Sequence, residues 1–247
     1  GSSAAIPSIE PPFPRTLIDD AGGSITISAA PQRIVALTPA SVETLATNIT
    51  SQASAVTNDS LSIPELTSFL SGVFTVLLSV CQPGAAWYVA SPGMRPLGVF
   101  AAVLGEVDVW RHTLLWVKDS FVLGRADYHY RHEIIFYGWA PGAAHYWCGR
   151  RDVDSVFEIP RPKASSEHPT MKPVELVELC INNSSKTGWV VGEPFGGSGT
   201  TLIACAKTGR IARLIEIDPR YCDVIRRRWT RYALSAGVDP GPGRLGV

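Results

Sequence analysis

Net charge is what the chain most plainly lacks: 22 Lys and Arg stand against 22 Asp and Glu in 247 residues. A protein whose whole surface serves nucleic acid is usually basic, so any such contact here has to come from a local patch. Cysteine is sparse and poorly spaced for cross-linking. Cys81, Cys148, Cys180, Cys205 and Cys222 are odd in number and nowhere form a C-x-x-C pair, which argues against a disulfide framework and a zinc site. No basic-then-apolar leader opens the sequence, and no apolar run is read as long enough for a bilayer, so a soluble, cytoplasmic chain with no membrane span is expected. A fixed-period repeat is missing, as are G-x-G-x-x-G and the Gly-Lys-Ser/Thr of a triphosphate loop. What remains is a composition of 45% hydrophobic and 18% charged residues, enough to bury a substantial core.

Residues 1–14 are dominated by Ser, Ala and Pro and read as an unpacked lead-in. Thr16 to Ile27 reads as a hairpin around Asp20-Ala-Gly-Gly. Arg33-Ile-Val-Ala-Leu-Thr-Pro follows as a buried strand and residues 40–46 as a short helix. Residues 47–57 are polar and low in complexity, placing a boundary that divides a 1–57 segment from a 58–247 domain. Beyond it the pattern alternates. Ser62 opens a helix with Pro64 in its first turn, running to about Val80. Strands are expected at 85–90, 110–117, 134–139, 190–191 and 212–217. Helices are expected at 95–104, 173–183 and 200–208, the last closed by Gly209. Strands alternating with helices predict an α/β fold with a mostly parallel sheet covered on both faces.

Gly196-Gly197-Ser198-Gly199 lies between the strand ending at Val191 and the helix beginning at Thr200. Glycines at that position let backbone approach a ligand, and the helix N-terminus offers N–H groups. About 20 residues further, Glu216 ends the next strand, where an acid can take ribose hydroxyls. A donor bearing a carboxylate, a ribose and an adenine suits that combination.

Three stretches together resemble the N6-adenine/N4-cytosine DNA methyltransferases: Glu167-His-Pro-Thr-Met-Lys-Pro-Val-Glu-Leu, Glu193-Pro-Phe-Gly-Gly-Ser-Gly-Thr-Thr-Leu-Ile-Ala and Glu216-Ile-Asp-Pro-Arg-Tyr-Cys-Asp-Val-Ile. The similarity reaches back through Trp116 to Glu133 and Tyr137-Gly-Trp to Asn58-Asp-Ser-Leu-Ser, covering about 58–232. It implies a Rossmann-like fold that binds S-adenosylmethionine and methylates double-stranded DNA in a restriction-modification or phage-type setting. By the resemblance, Phe195, Gly196, Gly197, Ser198, Gly199 and Thr200 line the methionine end. Glu216 takes the ribose, and Thr170 and Lys172 the carboxylate side. Glu193 stands where the family usually has Asp, and its extra methylene is expected to push the carboxylate outward.

Amino methylation also needs a polar acceptor for the exocyclic amine and an aromatic face for the flipped base. The family carries these as Asp/Asn/Ser-Pro-Pro-Tyr/Phe/Trp. The corresponding stretch here, Leu37-Thr-Pro-Ala-Ser-Val and residues 47–57, contains no aromatic residue, and Thr38 and Ser41 cannot stack a base. Glu10-Pro11-Pro12-Phe13 is the comparable string, with Glu for Asp, but it lies about 45 residues before Asn58 and reads as leader. The fold is therefore expected to be incomplete at its catalytic strand. Residues 12–47 resemble the start of a siderophore- or cobalamin-type periplasmic binding lipoprotein, so the chain reads as a join. Two alternatives to an active enzyme stay open: a non-catalytic cofactor- or DNA-binding module, and a fragment of such a lipoprotein.

Tyr128, His129 and Arg131, in a polar cluster with Asp127, His132 and Glu133, are candidates for nucleotide or phosphate contact, and no metal is expected there. Arg161 and Lys163, just before His168-Pro-Thr, are candidate phosphate contacts. Arg226-Arg-Arg reads as an exposed helix face.

Overall fold

A computed structural model describes residues 15–18, 24–27, 61–93, 95–121, 127–162 and 171–240. Its elements are β1 (Arg15–Ile18), β2 (Ser24–Ile27), α1 (Ile63–Val80), β3 (Ala86–Ser91), α2 (Arg95–Glu106), β4 (Trp110–Val117), β5 (His132–Trp139), β6 (Val156–Glu158), α3 (Val174–Ser184), β7 (Val190–Glu193), α4 (Thr200–Thr208), β8 (Ile211–Leu214) and α5 (Pro219–Ser235). The expected hairpin is present, with β1 and β2 antiparallel from Arg15↔Ile27 to Ile18↔Ser24. The strand at 33–39, the helix at 40–46 and the boundary at 47–57 fall outside the described residues.

The α/β class is as expected, but the sheet is mixed and not mostly parallel. Its order is β3-β5-β4-β6, with β7 and β8 paired separately and in parallel. Strand β5 is antiparallel to both β3 and β4, while β6 is parallel to β4. Parallel neighbours need a crossover, usually helical. Helix α2 supplies one between β3 and β4, which run the same way. No helix is described between β4 and β5, and β5 returns between them in the opposite sense.

Side-chain alternation along the strands builds two cores. Ala86, Tyr88 and Ala90 of β3, with Ile135 and Tyr137 of β5, pack against Leu176, Val177, Cys180 and Ile181 of α3 and Ala204 and Cys205 of α4. Trp87 and Val89, with Phe136, face the other way onto Leu66, Leu70, Phe74 and Leu77 of α1 and Val99, Phe100 and Val103 of α2. Both faces are therefore covered, as expected.

Helix α1 begins at a capping pair. The Ser62 backbone N–H and hydroxyl both donate to the Glu65 carboxylate, at 2.7 and 2.6 Å. These bonds hold the Glu65 carboxyl below its usual value. By length and composition α1 could cross a membrane, contrary to the expectation that no segment could. Its Leu66–Leu70–Phe74–Leu77 stripe, however, has i, i+4 and i, i+3 spacing and is spent on the core. Strand β6 is an addition to the predicted elements, and α5 is the helix on which Arg226-Arg-Arg was expected. The strand expected over 212–217 is β8, which ends at Leu214.

Candidate functional site

Strand β7 ends at Glu193 and α4 begins at Thr200, so the glycine loop fills the turn between them. Gly197 and Gly199 adopt φ of 50° and 75°, in the left-handed region where a side chain is strained. At Gly199 the space is also tight: a Cβ would lie 3.1 Å from Ile225 of α5. The loop is fastened to the chain beyond β8. Gly196 N–H donates to the Ile215 carbonyl at 2.7 Å, Gly199 N–H to the Gly196 carbonyl at 2.8 Å, and Gly197 N–H to the Glu216 carboxylate at 2.6 Å. The other Glu216 oxygen accepts from Asp218 N–H at 2.8 Å. Loop and acid, 19 residues apart, are thus one structure.

Glu193 corrects an expectation. Its carboxylate does not swing outward; it is 4% exposed and turns into the loop. One oxygen accepts from Phe195 N–H at 3.2 Å and the other from the Thr201 hydroxyl at 3.1 Å. The extra methylene lets the side chain reach the first turn of α4, where negative charge is favoured. Phe195 packs against Phe69 of α1 with ring centroids 6.1 Å apart.

Thr200 is a junction. Its hydroxyl donates to the Lys172 carbonyl at 3.3 Å and lies 3.2 Å from the Ser198 hydroxyl. It also accepts from Arg228 at 3.3 Å, and the same guanidinium nitrogen donates to the Ser198 carbonyl at 2.5 Å. Arg228 therefore departs from the expected exposed face: Ile225 and Arg228, one turn apart on α5, press on the loop together. The amphipathic spacing of 219–235 was the available signal for this contact. Asp218 caps α5 by accepting from Arg220 N–H at 2.8 Å, and its pairing with the Arg220 side chain holds its carboxyl below the usual value. Behind the loop, burial pushes the Cys205 thiol up to about 12, consistent with a packing role.

Lys172 is brought to the loop, and its ammonium reaches Glu133 together with that of Lys118. Of the remaining candidates, Glu10, Pro11, Pro12, Phe13, Lys163, His168 and Thr170 lie outside the described residues. Tyr128, His129, Arg131 and Arg161 are all exposed. Tyr128 is 88% exposed, His129 stacks on Phe121 with centroids 5.5 Å apart, and Arg161 is fixed through its backbone N–H to Asp119 at 3.1 Å.

A family profile described as DNA methylase, of the N6/N4 methyltransferase type, matches residues 9–227. The chain belongs to this DNA methylase family. Its curated relatives include the type II methyltransferase M.Cfr9I of Citrobacter freundii, 34% identical over 80 residues, which are 32% of this chain and 27% of that one. Another is the type II methyltransferase M2.DpnII of Streptococcus pneumoniae, 38% identical over 66 residues, or 27% and 25% of the two chains. The aligned part thus spans about a quarter of these relatives' length. The solved complex of M1.HpyAVI with S-adenosylmethionine superposes with a TM-score of 0.60 at 19% identity, covering 80% of this chain and 88% of that one. This likeness shows the Rossmann-like methyltransferase fold. The resemblance of residues 12–47 to a binding lipoprotein draws no support from these relatives.

Proposed function

We propose that this methylase-family domain transfers a methyl group from S-adenosylmethionine to an exocyclic amine of double-stranded DNA, adenine N6 or cytosine N4, in a cytoplasmic restriction-modification or phage-type setting. The observation that carries the reading is the 2.6 Å contact between Gly197 N–H and Glu216, which joins a ligand-permitting loop to an acid suited to ribose. The donor set fits that molecule. Backbone N–H groups at the α4 N-terminus and the Lys172 ammonium suit its carboxylate, and Glu216 suits its hydroxyls. When bound, S-adenosylmethionine supplies an electrophilic methyl group on sulfur.

The chain's own work is positioning. Phe195 to Thr200 hold the methionine end, and Glu193 keeps the loop in shape. The family match opens at residue 9, directly before Glu10-Pro11-Pro12-Phe13, the only Pro-Pro-aromatic string in the sequence. This supports assigning that string the amine-accepting and base-stacking roles. Exposed Tyr128, His129, Arg131 and Arg161, with Lys163, suit contacts to the target strand and its phosphates.

The test is tritiated-methyl transfer from S-adenosylmethionine to mixed-sequence duplex DNA. Wild-type protein is expected to incorporate label, and Phe13→Ala to lose roughly 5- to 150-fold, the worth of about 1–3 kcal/mol of base stacking. No incorporation by wild type overturns the active-enzyme reading. Calorimetric donor binding without transfer would then mark a non-catalytic donor-binding module.

A further inference from the structure

Glu133, the second residue of β5, is among the most enclosed carboxylates of the described residues, at 8% exposure. Two ammonium groups share it. Lys118 Nζ lies 2.5 Å from one oxygen, and Lys172 Nζ lies 2.8 Å from the other as an ion pair off the line of a directed hydrogen bond. Both ammonium groups sit over the same indole, that of Trp116, at 5.1 and 5.8 Å from its centroid. The indole is itself fixed, buried and donating its N–H to the Ile159 carbonyl at 2.7 Å.

The three anchors come from rigid places. Trp116 and Glu133 are direct partners across the β4–β5 ladder. Lys118 N–H continues that ladder to the Arg131 carbonyl at 2.7 Å. Lys172 does not belong to a strand; it lies just before α3, and its carbonyl accepts from Thr200 at the glycine loop. One residue thus connects the loop, through its backbone, to the strand-borne carboxylate, through its side chain. A free lysine side chain is rich in rotamers, and most of that freedom must be lost to fix its charge beside a ligand. Ion pairing to a buried, doubly anchored carboxylate removes that freedom beforehand.

We propose that Glu133 is a positioning residue for the amino-acid arm of the methyl donor: braced by Lys118 and Trp116, it fixes the side chain of Lys172, the residue whose backbone carbonyl is bonded to the glycine loop. This rests on the donor-site reading above. It assigns a role to Glu133 of β5 and to Lys118, one residue beyond β4, both remote in sequence from the loop.

The experiment compares two ligands by calorimetry on the full chain. S-adenosylhomocysteine carries the amino-acid arm, and 5′-methylthioadenosine has the same nucleoside without it. Glu133→Gln is expected to weaken S-adenosylhomocysteine about tenfold or more and leave methylthioadenosine within about twofold, since each factor of ten is one lost pairing of ordinary strength. Lys118→Met, which keeps the apolar stem, is expected to show the same selectivity at a few-fold and serves if the glutamine variant does not fold. A parallel loss for both ligands, or no loss for either, overturns the positioning role and leaves the donor site standing. Failure of wild type to bind either ligand removes the donor site and this role with it.

Discussion

A glutamate reaches one methylene further than an aspartate, and at position 193 that reach is absorbed by turning inward to Phe195 N–H and the Thr201 hydroxyl. A buried carboxylate is tolerable only with such donors. Asp218 achieves the same end at the start of α5, and it makes a pH prediction. Arg220 holds its carboxyl below the ordinary 3.8. A depressed folded-state value means the carboxylate's contribution is complete above the unfolded value and is lost as pH falls through the folded one. Thermal unfolding followed between pH 5 and 2.5 should therefore show a steeper fall for wild type below about pH 4 than for Asp218→Asn, which keeps the cap but cannot titrate. Parallel curves would remove this role. Arg220 is largely exposed, so the difference is expected to be modest and reduced by salt.

Among the elements, α5 has the most consequence for the site. Ile225 closes on Gly196 and Gly199, and Arg228 holds Ser198 and Thr200. Arg226 on the same helix pairs outward with Asp223 at 2.9 Å. Arg228→Ala should weaken donor binding roughly tenfold, about the 1.5–3 kcal/mol of a charged hydrogen bond less what relaxation recovers, and Arg226→Ala should leave it unchanged. Equal effects in calorimetry would argue against the clamp. The contrast also shows what was legible in advance. The glycine loop, α1, β4 and α4 follow from local signals: caps, periodicity and glycine at a strand–helix turn. The inward turn of Glu193, the face on which Arg228 lies and the pairing of Lys118 with Glu133 depend on register between distant segments. The antiparallel course of β5 belongs with them. A continuous apolar strand such as Ile134-Ile-Phe-Tyr carries no mark of its direction.

At the scale of the whole molecule, the two cores are not independent, because β3 and β5 contribute alternate residues to both. Trp87 reports on one and Trp116 on the other. Urea unfolding followed by tryptophan fluorescence and by far-ultraviolet circular dichroism should give coincident transitions, as expected of one cooperative unit. Separated midpoints would show that the faces melt apart.

The clamp on the glycine loop sets an order in time as well as in space. Ser198 and Arg228 are 30 residues apart in sequence, and the ribosome adds about 5–20 residues each second. For roughly 2–6 s of each round of synthesis, the loop exists without the helix that gives it shape. A nascent chain at that stage holds both cores' strands and nearly all their helices, yet cannot present a finished loop to a donor.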